Sequence, residues 1–171
     1  MTMYRLLIMR HAKSDWSANV EDFDRPLNKR GHKDAKKMGA WLKQEKLIPD
    51  LIVSSPATRA RQTICIVCDQ LGKKAPDIIW DDRIYETGLH DLLQVVTEHG
   101  KNAQCMLITG HNPGLDHLVD YFSKDEPLRS TTGKLMTTAA IAILDFGDER
   151  INGKQKCARL LHVARPKEIQ P

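Results

Sequence analysis

Short, dense apolar runs alternating with stretches of helical period constrain this chain more than any other feature of its sequence. Tyr4 to Met9 is one such run, stopped by Arg10 and His11. Asp50 to Pro56 is a second, closed by serines and a proline, and Gln104 to Gly110 is a third. Runs this short and this apolar read as strands buried on both faces. Between them, Ala35, Met38 and Leu42 recur three and four apart within Gly31 to Lys46, opposite a lysine-rich face. That spacing predicts an amphipathic helix. Ala57 to Leu71 reads as a helix stopped at Gly72, Ile78 to Trp80 as a short strand, and Leu89 to His99 as a helix stopped at Gly100. A turn at Asn112 to Gly114 leads into a further helix through Tyr121. The last third changes character: Thr138 to Phe146 and Ala158 to Ala164 read as two strands joined by the polar turn Gly147 to Lys156.

This alternation predicts an α/β three-layer sandwich, a mainly parallel sheet with helices on both faces and a C-terminal antiparallel strand element. With no internal repeat and no linker, residues 1–171 are expected to form a single domain. A chain of that length buries roughly two-thirds of its unfolded surface and needs no staples. Hydrophobic residues at 41% and charged residues at 28% exclude a disordered or low-complexity chain. Apolar runs fall short of a membrane span, and the N-terminus lacks the long apolar region of a signal peptide, so a soluble, cytoplasmic protein is expected. The net charge of +4 and aromatic content of 5% argue against a nucleic-acid partner and fit an anionic substrate.

Parallel sheets place their sites in loops beyond the carboxyl ends of the strands. That rule selects Arg10-His11, Ser54 to Arg61, and Gly110-His111-Asn112. Ala12 to Asn28 is a long polar loop, with Trp16, Phe23 and Pro26 as its bulky anchors, and loops of that length are usually functional. Arg10 and Arg59 offer planar forks that match phosphoryl oxygens. Two histidines beside two arginines make a poor metal site, because guanidinium repels cations, but they suit a phosphoryl group in flight. No metal or cofactor is therefore expected.

The run Leu7 to Trp16, with Arg10-His11-Ala12, resembles the Arg-His-Gly signature of the histidine phosphatase superfamily, the phosphoglycerate mutase-like proteins. Ser55 to Thr63 resembles its second block and Leu107 to His111 its late histidine block. The short length, the Gly-His-Asn-Pro run and Leu135 to Ala142 are most similar to the SixA-like phosphohistidine phosphatases, a resemblance extending from Tyr4 to about Arg165. It implies that His11 is a nucleophile that accepts the phosphoryl group, that Arg10, Arg59 and His111 hold its oxygens, and that water then releases inorganic phosphate. It places Ser14 and Ser17 in the loop lining the phosphate pocket and Glu86 roughly where many relatives carry a proton donor. Ala12 stands where the signature usually has Gly.

The implied function is a metal-independent phosphohydrolase acting on phosphohistidine in a phosphorylated protein. The alternatives are a small-molecule phosphomonoesterase or mutase that takes a small phosphoester, and a catalytically silent phosphate-binding module. Cys65-x-x-Cys68 lies within a predicted helix and has no second pair, so it reads as buried structural thiols rather than a zinc or redox site. Arg61 is a rival to Arg59, two positions on and therefore pointing elsewhere.

Overall fold

A computed structural model describes residues 2–127 and 129–170. Six strands, β1 (Tyr4–Arg10), β2 (Leu51–Ser54), β3 (Ile78–Trp80), β4 (Cys105–Gly110), β5 (Ile141–Gly147) and β6 (Arg159–Ala164), form one sheet in the order β3-β2-β4-β1-β5-β6. The first four in that order run parallel, while β5 and β6 are antiparallel additions at one side. Helices α1 (Lys29–Gln44) and α2 (Thr58–Leu71) cover one face, and α3 (Leu89–Gly100) and α4 (Gly114–Phe122) the other. This is the mixed α/β layering expected from the sequence.

Strand β1 shows why the apolar runs lack alternation. Leu6 and Ile8 enter the core beneath α3 and α4, whereas Leu7 and Met9 enter the core beneath α1 and α2. All four are fully buried. A strand between two helical layers has no polar face, and each such side chain contributes roughly 1.5–3 kcal/mol relative to exposure.

Two boundaries shift for local reasons. Helix α1 begins at Lys29 rather than Gly31 because the Asn28 side chain accepts from the Gly31 amide and caps it. Gly31 has its own requirement: a Cβ there would lie 2.1 Å from the Lys13 carbonyl oxygen, so α1 starts directly against the loop after β1. Strand β5 begins at Ile141 rather than Thr138, since Ala139 adopts a left-handed φ of 63° and donates its amide to the His11 carbonyl. Helix α2 ends as expected, with Gly72 at a φ of 67°.

Two expectations about packing are corrected. Trp16 does not anchor its loop; it is 78% exposed and lies flat against the Arg25 guanidinium, 3.7 Å from ring centroid to Cζ. Phe23 is also exposed. The loop is held instead by buried Leu27 and Arg25, by the Ser14–Leu27 bridge, and by the Leu27 amide donating to Gln62 Oε1. Cys65 is exposed and Cys68 half-buried, so the pair is not a buried one; the helix turns Ile64 and Val67 inward instead. Among the described residues, no helix is long and apolar enough to cross a membrane.

Candidate active site

Strands β1 and β4 are parallel neighbours, with Arg10 opposite Gly110. The next residue on each is a histidine, so the register sets His11 beside His111, their rings 5.2 Å apart and tilted by 51°. The His11 amide donates to the Gly110 carbonyl, locking the two strand ends together. Strand β2 lies on the far side of β4, and the Ser55 amide donates to Thr109. From there the chain turns into α2, whose first turn carries Arg59. Arg10, His11, Arg59 and His111 together line a cleft of about 720 Å³. The four residues named from the sequence therefore do meet.

The protonation of each imidazole follows from its partner. His11 Nδ1 lies 2.7 Å from the Ala12 carbonyl oxygen, which can only accept, so Nδ1 carries the proton and Nε2 keeps its lone pair. Burial, with His111, Arg10 and Arg59 nearby, pushes the His11 pKa down to about 3. His11 is thus neutral at physiological pH, the state in which an imidazole attacks. His111 Nε2 lies within hydrogen-bond distance of Ser55 Oγ, at 2.8 Å, and that hydroxyl also accepts the Ala57 amide. The other ring nitrogen, Nδ1, is buried and has no hydrogen-bond partner among the described residues. Burial, followed by Arg59, lowers the His111 pKa to about 4.

The guanidiniums are also only partly satisfied. Arg10 donates from one terminal nitrogen to the Met136 carbonyl, and its Nε is buried without a partner among the described residues. Arg59 donates to the Asp22 carbonyl at 2.6 Å and to Asp22 Oδ2 at 3.0 Å, while its Nε is likewise unpartnered among the described residues. Buried N–H groups left without acceptors are costly. With two guanidiniums and two imidazoles lining one cleft, the charge suits an anion with several oxygens.

Several residues not singled out by sequence reasoning build this arrangement. Thr63, fully buried, accepts the Ala12 amide at 2.9 Å and donates to the Arg59 carbonyl at 2.7 Å, joining the loop after His11 to α2. Asp22, in a short 3-10 turn of the long loop, receives Arg25, Arg59 and the Tyr85 hydroxyl. Those donors, Tyr85 foremost, hold its carboxyl well below the usual range. The Tyr85 ring packs edge-on against His111, 5.6 Å between centroids. Thr63 and Ser55 both sit inside the second sequence block, and the helical period of α2 turns Thr63 inward. Asp22 lies in an aperiodic loop and gives no local signal.

Of the remaining candidates, Ser14 lines the cleft and accepts from Arg25 Nε. Ser17 does not reach it: the residue is exposed and its hydroxyl is engaged by Asp15 Oδ1 at 2.5 Å. Glu86 is exposed, with a left-handed φ of 51°, and stands behind Tyr85 rather than among the cleft-lining residues. Arg61 points away and packs over Trp80, as its offset from Arg59 predicts. Ala12 is fully buried without a left-handed φ, so the methyl group costs nothing there.

Comparison with known proteins places this geometry. An uncharacterized protein of Mycobacterium tuberculosis is 30% identical over 163 residues, covering 92% of this chain and all of that one. A solved structure of a candidate phosphohistidine phosphatase SixA from Agrobacterium tumefaciens superposes with a TM-score of 0.77 at 26% identity, over 95% of this chain and 99% of that one. The protein histidine phosphatase SixA in complex with tungstate gives a TM-score of 0.76 at 25% identity, over 97% and 99% of the two chains. Residues 6–99 match the family model of the histidine phosphatase superfamily, branch 1. By that match, and by a fold shared almost end to end with SixA, this chain belongs to the histidine phosphatase superfamily, in its SixA-like group.

Proposed function

We propose that the protein is a phosphohistidine phosphatase that works through a covalent phosphohistidine on His11. Nε2 of His11 attacks phosphorus in line, and the bond from phosphorus to the substrate nitrogen breaks as the new one forms. Arg10, Arg59 and His111 receive the charge that spreads over the equatorial oxygens. A substrate imidazole protonated on its other nitrogen departs neutral. Water then attacks the phosphorus on His11, releases inorganic phosphate and returns Nε2 to its starting state.

The observation that carries the choice of substrate is the state of the carboxylates. Two acidic side chains line the cleft, Asp34 and Glu168, and each is paired with an arginine, Arg30 and Arg165. Asp22 is held ionised by three donors, and Glu86 stands outside the lining. A phosphomonoester needs an acid for its alkoxide leaving group. A phosphohistidine does not, and this supports it over the phosphomonoesterase and mutase readings.

The test is brief incubation with a phosphohistidine peptide, an alkaline quench, and mass spectrometry of the His11 peptide. The expected result is phosphate on His11, turnover favouring the phosphohistidine peptide over phosphoglycerate or p-nitrophenyl phosphate, and loss of both in His11→Ala. Turnover without phosphate on His11, or a large preference for a phosphomonoester, would refute it. Binding of phosphate without any turnover would point to the silent module.

A further inference from the structure

The cleft is much larger and more basic than a phosphoryl group requires. Nine basic and two acidic side chains line its 720 Å³. Part of that excess is internally neutralised: Arg30 by Asp34, Arg165 by Glu168, and Arg25 and Arg59 by Asp22. Lys13, Lys134 and Lys167 are different. All three are exposed, and none forms an ion pair among the described residues. They come from separate segments: the loop after β1, the stretch leading to β5, and the turn after β6. Cations gathered from three segments around one opening create a field that draws and orients anionic partners.

Exposed aromatic rings lie at the cleft and close by it. Trp16 lines the cleft at 78% exposure, and Phe23, 39% exposed, packs edge-on against Tyr85, which in turn packs on His111. Exposed aromatics beside a basic opening have a use for aliphatic and aromatic side chains, which a polyphosphate or a sugar phosphate lacks.

Resting on the phosphohistidine reading above, we infer that the substrate histidine sits in an acidic stretch of polypeptide. Carboxylates flanking the phosphohistidine lie over Lys13, Lys134 and Lys167, and an apolar side chain lies against Trp16. The lysines act at encounter and docking, outside the phosphoryl pocket.

Two phosphohistidine peptides of equal length test this, one flanked by Asp and Glu and the other by Asn and Gln. Wild type is expected to favour the acidic peptide by about tenfold in kcat/KM at low salt, with the preference fading as ionic strength rises. In the variant Lys13→Glu/Lys134→Glu/Lys167→Glu the preference is expected to vanish or invert, with an unchanged unfolding midpoint showing that the fold survives. Equal turnover of both peptides by wild type, or a preference unmoved in the variant, overturns the docking inference and leaves the phosphohistidine reading standing. Turnover of inorganic polyphosphate ahead of either peptide also overturns it. Failure to turn over either peptide overturns both.

Discussion

Thr63 offers the sharpest test of how the site is held. Its hydroxyl accepts the Ala12 amide and donates to the Arg59 carbonyl, and no part of it is exposed. Thr63→Val keeps the shape and deletes both bonds. The Arg59 carbonyl retains a partner, because α-helix geometry already gives it the amide of residue 63. The Ala12 amide does not: the residue is fully buried, so the N–H is left without water or acceptor. An orphaned buried donor costs about 1–3 kcal/mol. For a chain of this size that lowers Tm by on the order of 2–12 °C. Activity should suffer separately, since Ala12 also supplies the carbonyl that fixes His11 Nδ1. A small reorientation of a reacting group costs about tenfold or more in kcat. Urea unfolding and thermal scans read the first effect and steady-state kinetics the second. Thr63→Ser should restore both. A valine variant within about 0.5 kcal/mol of wild type and with full kcat would refute the reasoning.

Three further outcomes are expected. His11 and His111, with pKa values pushed down to about 3 and about 4, bind fewer protons folded than unfolded below the ordinary histidine value of 6.5. Stability should therefore fall as pH drops from about 6.5 toward 4, by up to about 1.4 kcal/mol per pH unit for each histidine, and chemical unfolding of wild type against His111→Gln checks the slope. Ala139 holds a left-handed backbone at a φ of 63°. Ala139→Gly should leave stability within about 1 kcal/mol of wild type in urea unfolding, since relief of the strained φ is offset by added chain entropy and the loss of a fully buried methyl. Gly31→Ala must displace the Lys13 carbonyl, only 2.1 Å from the new methyl carbon. It should destabilise by about 1–3 kcal/mol and lower kcat, both measurable on the purified variant.

Much of this molecule is legible in its sequence because the informative residues sit at the ends of strands. A run such as Tyr4 to Arg10 states both its own burial and the place where it stops, and in a parallel sheet that stop is where chemistry collects. His11, His111 and Arg10 could be named on those grounds, and Arg59 by its position in the first turn after β2. The loop from Ala12 to Asn28 was opaque for the opposite reason. Its fastenings are long-range and polar, such as Asp22 to Arg59 and Leu27 to Gln62, and no spacing announces a partner 35 or more residues away. Trp16 misleads for a related reason: an aromatic ring suggests a core, but here a guanidinium underlies it and solvent covers the other side.

The pairing of Arg10 with Gly110 has an implication for how such a site can change. The spacing of the two imidazoles is built into the backbone ladder at the centre of the sheet, not into a mobile flap. New specificities in descendants of this scaffold would then arise by altering the surrounding walls, while the paired imidazoles travel unchanged, like a fixed jaw fitted with different tools.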